Sequence, residues 1–399
     1  MNGDSSSGSG IRVRLFGRTD VGQIREHNED NFLIADLTRK SRSLMESDRE
    51  QRVAERGTVL GVCDGMGGAA AGEVASQLAV DIIYEKLSAG DPPANHDDLA
   101  RRLVNAVEEA GGRIFGEARA DRTRRGMGTT ATIAALLDAR LFVAQVGDSR
   151  AYVLRGDKLV QVSRDQSLVN QLIEAGQLTE EEAETFEHNN IILQALGTAE
   201  TVQVDLTYVD LRKGDTLLVC SDGLSGMVRA DEMREVLLSH REPFDACKEL
   251  VDRANRAGGH DNITVIVAVF EGSLPAAGPG DVLAYQKYAL PEAPAEQTVR
   301  APSVHAPEVY TPPPSQEAQR ESRRLRVGHT MVGMTNPMAG ATPATGSPVA
   351  SRISGPPPTF NTEDDPVSIP TTGLPPSLVG MMVLGAMLFV AIAGFLLLR

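Results

Sequence analysis

The sequence contains few of the residues that stabilise small secreted domains or that bind nucleic acids. Its 399 residues include 3 cysteines and no tryptophan. Cys63, Cys220 and Cys247 are too few and too widely spaced for a disulfide framework, so we expect small apolar side chains in a reducing compartment. Lys and Arg number 39 against 54 Asp and Glu, which gives a net charge of −15. This balance argues against a nucleic-acid partner, because phosphate backbones attract basic surfaces.

The chain is long for one domain, and its composition divides it into regions. Residues 1–10 are rich in Ser and Gly and lack a secretion signal, which predicts a flexible tail. Residues 272–376 are rich in Pro, Ala and Thr, which predicts a disordered linker. Residues 377–398 are uncharged and apolar enough to predict a transmembrane helix, with only Arg399 after them. The region that remains, 11–271, is the predicted folded domain.

Within the predicted domain, acidic residues recur at the ends of short apolar strands. They are Asp64 after 59–63, Asp148 after 142–146, Asp222 after 216–220, Asp261 before 263–269, and Glu29 and Asp30 before 32–34. Taken alone, the glycine-rich turn after Asp64 fits an ordinary strand-to-helix connection equally well. The repetition favours a metal site, because clustered carboxylates repel each other unless divalent cations lie among them. Oxygen ligands suit Mg²⁺ or Mn²⁺ better than Zn²⁺.

The hydrophobic pattern predicts the elements around these acids. Amphipathic helices are expected at 73–87 and 99–115, where they would cover a sheet face. Consecutive strands between 130 and 162 predict an antiparallel meander. Residues 163–197 have the pattern of two short helices, and the charged stretch 37–57 is typical of a solvent-facing, partly helical insertion.

Six motifs occur in a fixed order between residues 12 and 270. They lie at residues 19–30, 64–73, 126–130, 147–150, 220–224 and 259–262. Together they resemble the PP2C (PPM) family of metal-dependent serine/threonine protein phosphatases, and its bacterial branch most of all. The resemblance implies an α+β fold, a four-layer α-β-β-α sandwich of two antiparallel sheets flanked by helices. It also implies that 163–197 is a flap beside the metal site.

The resemblance implies a role for particular residues. The implied metal ligands are Asp64, Asp222, Asp261 and the carbonyl of Gly65 for two tightly bound Mn²⁺ or Mg²⁺ ions, with Asp148 for a weaker third ion. The implied residues around the ligands are Glu29, Asp30 and Asn262. Arg25 is the implied phosphate-binding residue, since its planar guanidinium suits a phosphoryl group. The residues expected to carry catalysis are therefore Arg25, Asp64 and Asp261.

The implied reaction is hydrolysis of phosphoserine or phosphothreonine in proteins by a metal-activated water, without a phosphoenzyme. Met66 stands where eukaryotic relatives have a histidine, so the acid for the leaving group stays unassigned. Gln194 stands where many relatives have arginine, and Asp165 is expected to be structural. The implied partners are phosphorylated proteins, among them a cognate membrane serine/threonine kinase, and the catalytic domain is expected to be monomeric.

Two other functions fit parts of the sequence. A membrane-tethered scaffold of the same fold would lack one of the metal carboxylates, and none is missing. A hydrolase of small phosphate esters would keep the whole site and differ only in its substrate. With the apolar C-terminal segment, the expected location is the cell membrane, as a single-pass protein with a cytoplasmic catalytic domain.

Overall fold

The computed structural model describes residues 10–42, 49–67, 71–183, 186 and 190–291. One sheet has the order β3 (Glu50–Arg52), β1 (Ile11–Asp20), β12 (Ile263–Gly272), β11 (Thr216–Cys220), β8 (Arg150–Arg155) and β9 (Lys158–Gln161). The second has the order β10 (Asp205–Asp210), β7 (Arg140–Val146), β6 (Ala131–Leu137), β4 (Thr58–Met66) and β2 (Asp30–Asp36), and β5 (Gly128–Thr129) pairs with β4. The helices are α1 (Ala71–Ser88), α2 (His96–Ala120), α3 (Leu168–Glu174), α4 (Glu180–Ala183), α5 (Asp222–Ser225), α6 (Ala230–Ser239) and α7 (Pro243–Arg256).

Three apolar cores separate four layers of secondary structure. One lies between α1, α2 and the second sheet and contains Ile133. Another lies between the two sheets and contains Val143, and the third lies between the first sheet and α6 and α7 and contains Leu218. Because both faces of the sheets are covered, central strands such as β6 are buried along their whole length. The predicted sandwich of two antiparallel sheets flanked by helices is confirmed.

The predicted meander is wrong, because the strands between 130 and 162 belong to two sheets. The pair β6–β7 lies in the second sheet and the pair β8–β9 in the first. The chain crosses between the sheets at Gly147, which has a φ of 97°. A Cβ at this position would lie 2.6 Å from Cγ2 of Thr130, so no side chain fits. The crossing places Asp148 where the two sheets meet.

The charged insertion also differs from its prediction. In the described parts of 37–57, the chain forms β3 rather than a helix, and this strand pairs with β1. Gln51 and Val53 are buried, with 3% and 1% of their surfaces exposed. Strand β1 thus has hydrogen-bonded neighbours on both sides and β3 forms the sheet edge, which a charged surface loop would not provide.

The folded domain extends beyond its predicted end at residue 271. Residues 281–291, which we call the strap, lie along the edge of β10. The amide of Tyr208 donates to the carbonyl of Gln286 at 3.0 Å, and the amide of Tyr288 donates to that of Leu206 at 2.7 Å. Tyr288 and Leu290 pack against the core beneath α2. The composition of this segment predicted a linker, but its scattered apolar side chains bind to the domain.

Several predictions lie outside the described residues. They concern Gly68, residues 1–9 of the tail, part of the flap, the linker after residue 291 and the predicted transmembrane helix at 377–398. Within the described ranges, no helix combines the length and hydrophobicity needed to cross a bilayer.

Candidate active site

Two of the predicted acids face each other on neighbouring strands of the second sheet. Asp30 at the start of β2 pairs in register with Asp64 in β4. Asp64 lies inside the strand rather than after its end, because the following residues pair with β5. Asp30 is buried, and its Oδ2 accepts a hydrogen bond of 2.8 Å from Oγ of Ser221. Since Ser221 follows β11, this bond joins the two sheets at the level of the acids.

The other two acids come from the first sheet. Asp222 begins α5 directly after β11, and Asp261 lies two residues before β12. Because β11 and β12 are adjacent and antiparallel, both acids lie at the same end of the sandwich. The charges of Asp222 and Asp261 act on the carboxyl group of Asp64 from the opposite sheet. The acids that the sequence places far apart therefore meet at one site.

Arg25 lies on the loop between β1 and β2. Its Nη2 donates to Oδ2 of Asp261 at 2.7 Å. The Arg25 side chain is 48% exposed, so its other N–H groups can bind an anion from solvent. Gly22 allows the loop to lie against the site, since a Cβ there would come within 2.3 Å of the Asp261 carbonyl oxygen.

Four carboxyl groups of this site have raised pKa values. Burial, and secondarily the charge of neighbouring acids, raises the pKa of Asp30 and of Asp148 to about 7. Burial also raises the pKa of Asp64 well above its usual range, and Asp30 and Asp222 add to the effect. The pKa of Asp222 is raised by burial and by the charge of Asp261. Several acids in a water-poor site need either protons or cations.

The oxygen atoms of the site fit a hard divalent cation. Among the described residues, three buried carboxylate oxygens have no hydrogen-bond partner: Oδ1 of Asp30, Oδ1 of Asp148 and Oδ1 of Asp222. A buried polar atom without a partner is costly, and a cation removes that cost. No three His, Cys, Asp or Glu side chains in the described ranges form a ready-made metal cage.

Asn262 and Glu29 fix the loop that carries Arg25. Nδ2 of Asn262 donates to the carbonyls of Val21 and His27 at 3.0 and 2.9 Å. Oδ1 of Asn262 accepts from the amide of Glu29 at 2.8 Å. The Glu29 carboxylate lies against Gly72, where a Cβ would be 2.8 Å from Oε2. Both predicted supporting residues thus lie beside the acids, and Asn262 acts on the loop through its amide group.

Gly65 contributes to the site through its lack of a side chain. A Cβ at this position would lie 2.3 Å from the carbonyl oxygen of Gly72 and 2.5 Å from that of Glu29. Three backbone segments therefore approach each other next to Asp64 at a distance that only glycine permits.

The structure adds two residues that the sequence analysis left without a role. Oγ1 of Thr130 accepts a hydrogen bond of 2.9 Å from the amide of Asp64 and lies 2.8 Å from Oγ of Ser149. Both hydroxyls are fully buried. They connect the strand that carries Asp64 to the crossing that carries Asp148. The pair Thr129-Thr130 in the glycine-rich motif 126–130 is visible in the sequence. The hydrogen-bond partners of Thr130 are distant in the sequence, so the pattern did not indicate its role.

Two flap-region residues have structural contacts. Asp165 accepts from Nε of Arg150 at 2.7 Å and from Nε2 of Gln161 at 2.7 Å, which agrees with the structural role expected for it. Gln194 accepts from the amide of Gln203 at 2.8 Å and donates to its carbonyl at 3.2 Å. Gln194 therefore fixes the end of the flap to the chain that leads into β10.

Residues 39–263 match the model of the family described as protein phosphatase 2C. The chain belongs to this family. Its catalytic region is similar to the serine/threonine phosphatase stp of Listeria innocua, with 36% identity over 250 residues, or 63% of this chain and 93% of the relative.

Two solved structures have the same fold as this PP2C domain. The Mycobacterium tuberculosis serine/threonine phosphatase PstP/Ppp is 34% identical, with a TM-score of 0.56 over 65% of this chain and 99% of the other. The catalytic domain of PstP in complex with 2 manganese ions is 33% identical, with a TM-score of 0.55 and the same coverage of 65% and 99%.

Proposed function

We propose that the protein is a metal-dependent serine/threonine protein phosphatase. The observation that carries this proposal is the meeting of Asp64, Asp222 and Asp261, from both sheets, beside the exposed guanidinium of Arg25. The site combines anionic ligands for cations with one cationic group for a phosphoryl oxygen. The serine/threonine phosphatases to which the chain is similar support this substrate class.

The residues of this chain bind and orient the substrate. Arg25 binds the phosphoryl oxygens through the N–H groups that Asp261 leaves free, and Asp261 holds the guanidinium in place. Hydrolysis adds water across the phosphoester bond and yields the side-chain hydroxyl and inorganic phosphate. Because Arg25 fixes the phosphoryl group, the water can attack in line with the bond that breaks.

The residues that would hold the cofactor are Asp64, Asp222, Asp261 and the carbonyl of Gly65, with Asp148 for a further ion. Two Mn²⁺ or Mg²⁺ ions, when bound, lower the pKa of water and offset the negative charge of the phosphoryl group. Asp30 lies behind Asp64 and keeps its position through Ser221. Glu29 and Asn262 keep Arg25 near this cluster.

The test is to replace single acids and measure Mn²⁺-dependent hydrolysis of p-nitrophenyl phosphate. Asp64→Asn and Asp261→Asn should each lower kcat at least 10²-fold. The matched control is Asp231→Asn, because Asp231 is exposed on α6. Circular dichroism should show the same fold in all variants, since the amide removes a charge that the site disfavours without metal. Full activity in both site variants would contradict the proposal.

The nature of the substrate needs its own comparison. Phosphopeptides and nucleotides are tested at equal concentration with the wild-type protein. Faster hydrolysis of phosphopeptides is expected, and a preference for nucleotides would favour the hydrolase of small phosphate esters. A folded protein that hydrolyses neither would favour the scaffold.

We also propose that the apolar segment at 377–398 anchors the protein in the cell membrane, with the catalytic domain in the cytoplasm and a membrane serine/threonine kinase among its partners. The sequence pattern of this segment and the fully buried, unpaired cysteines of the domain support this arrangement. Cell fractionation should find the full chain in membranes and a chain ending at residue 376 in the soluble fraction. Equal distribution of the two chains between membranes and the soluble fraction would contradict the anchor.

The kinase partner is tested by its capture on the Asp64→Asn variant from solubilised membranes.

A further inference from the structure

A cavity lies between the flap and the strap, and its lining residue Asp165 is close enough for its charge to act on Asp148. Its volume is about 240 Å³. Gln166 lines it and accepts a hydrogen bond of 3.0 Å from the amide of Gly147, the residue before Asp148. A wall residue of the cavity thus hydrogen-bonds the backbone of the residue that precedes Asp148. The strap contributes Lys287 to its wall.

The strap holds this position through Asp205 at the start of β10. The buried Asp205 carboxylate accepts from the phenol of Tyr285 at 2.6 Å and pairs with Nζ of Lys287 at 3.3 Å. Tyr288 lies between two aromatic rings, 4.9 Å from Phe142 and 5.4 Å from Tyr208. These contacts make Lys287 a fixed part of the cavity rather than a residue of a loose tail.

The charges of the cavity are arranged by depth. Its acids are buried and already paired, Asp165 with Arg150 and Asp205 with the strap. Its cationic side chains are exposed: the exposed fraction is 70% for the Lys287 side chain and 45% for the Arg164 side chain. Arg164 shares its guanidinium with Glu174, whereas the Lys287 ammonium has donors left after its one contact with Asp205. An anionic group that enters from solvent therefore contacts the ammonium of Lys287 before the other charged groups of the cavity.

Between the exposed cations and the buried acids, the wall carries uncharged polar groups. Gln166, Asn170, Gln171, Gln194 and Gln203 all line the cavity. Gln166, Asn170 and Gln194 already hydrogen-bond within the protein. The polar wall that they form with the other amides suits the backbone and polar side chains of a polypeptide better than an apolar ligand.

We propose that this cavity is a subsite for the phosphorylated protein substrate, and that Lys287 of the strap selects an acidic side chain near the phosphorylated residue. The inference rests on the proposed phosphatase function. It assigns part of the substrate choice to a segment that lies after the region matched by the family model, which ends at residue 263.

The test uses two phosphopeptides that differ only in a Glu or Gln three to five residues from the phosphothreonine. The wild-type chain should hydrolyse the Glu peptide with a kcat/KM about fivefold higher, mainly through KM. Lys287→Ala should bring this ratio close to one, and Lys287→Glu should reverse it. Lys287→Arg should retain it. Lys213→Ala is the matched control, because Lys213 is an exposed lysine outside the cavity, and its ratio should equal that of the wild type.

The outcomes separate the subsite from the function and from the fold. A wild-type ratio near one, or an unchanged ratio in Lys287→Ala, overturns the subsite. An equal loss of kcat/KM on both peptides in Lys287→Ala also overturns it, because that pattern marks a structural role. Melting temperatures identify any variant in which the strap has come loose. Failure of the wild-type protein to hydrolyse either peptide, with p-nitrophenyl phosphate still hydrolysed, would instead contradict the proposed function.

Discussion

Individual hydroxyl groups set the geometry of the acids in this PP2C domain. Thr130 binds the backbone of Asp64 and the side chain of Ser149 with one oxygen atom. Ser221 does the same for Asp30 and the amide of Thr264. Each hydroxyl joins segments that lie far apart in the sequence, so the relative positions of the acids depend on buried uncharged residues as well as on the strands.

Replacement of Thr130 by Val should weaken metal binding. The change keeps the shape of the side chain but leaves the buried amide of Asp64 without an acceptor, which costs about 1–3 kcal/mol in stability. Because Asp64 and Asp148 then lose their connection, we expect a higher Mn²⁺ concentration for half-maximal binding, measured by calorimetry.

The control is Thr207→Val in β10. Thr207 is also buried, and its hydroxyl donates to the carbonyl of Val162 at 2.8 Å, away from the segments that carry the acids. It should lose similar stability and keep the Mn²⁺ affinity of the wild type. Thr130→Ser should restore binding. Equal Mn²⁺ affinities in Thr130→Val and Thr207→Val would exclude a positioning role.

The apolar runs that flank the acids are visible locally in the sequence. Asp64, Asp222 and Asp261 each follow or precede an apolar run, and the antiparallel pairing brings these ends together. Thr130 and Ser149 could not be assigned in this way, since their importance depends on which segments meet in space. The proposed roles in metal binding remain predictions that the experiments above address.

At the scale of elements, the strap is the clearest departure from the sequence-based prediction. The strap lies in the region 272–376, whose Pro-, Ala- and Thr-rich composition predicted a linker, but Tyr285, Tyr288 and Leu290 bind the strap to β10 and α2. A few well-spaced apolar side chains are enough to fix an extended segment on an existing sheet edge. A hydrophobicity average over many residues does not detect such a pattern.

Replacement of Tyr288 by Ala should destabilise the domain. The ring makes edge-to-face contacts with Phe142 and Tyr208, and its partial burial predicts a loss of about 2 kcal/mol in the free energy of unfolding. Urea denaturation measures the change. Tyr288→Phe keeps both ring contacts and loses only the hydrogen bond to Asp97, so it should lie within about 1 kcal/mol of the wild type. A chain ending at residue 280 that is as stable as one ending at residue 291 would contradict this role.

The crossing between the sheets was missed for a related reason. Each of the strands from β6 to β9 was predicted, but turn length and hydrophobic pattern do not distinguish a hairpin from a change of sheet. Gly147, with its positive φ and its contact with Thr130, is what makes the change possible.

For the whole molecule, the raised pKa values predict an unusual pH dependence. Folding raises the pKa of Asp30 and Asp148 to about 7, compared with about 3.9 in an unfolded chain. The native state therefore binds more protons than the unfolded state between these values. The stability that these groups contribute is present at low pH and is lost as the pH rises from about 4 to about 7.

Thermal unfolding in excess chelator measures this effect. The melting temperature of the metal-free protein should fall between pH 5 and pH 7.5, and Asp148→Asn should make the decrease smaller. Addition of Mn²⁺ at pH 7.5 should raise the melting temperature, because the ion binds the native state alone. A metal-free protein that becomes more stable over the same interval would show that the acids ionise freely.

The division of the acids between the two sheets has a mechanical consequence. Asp30 and Asp64 move with one sheet, whereas Asp222 and Asp261 move with the other. The thickness of the apolar layer between the sheets, around residues such as Val143 and Val219, therefore sets the width of the opening between the two halves of the acid cluster. Repacking that layer would adjust which ionic radius fits best, so preference among cations can be tuned from the interior without altering any ligand.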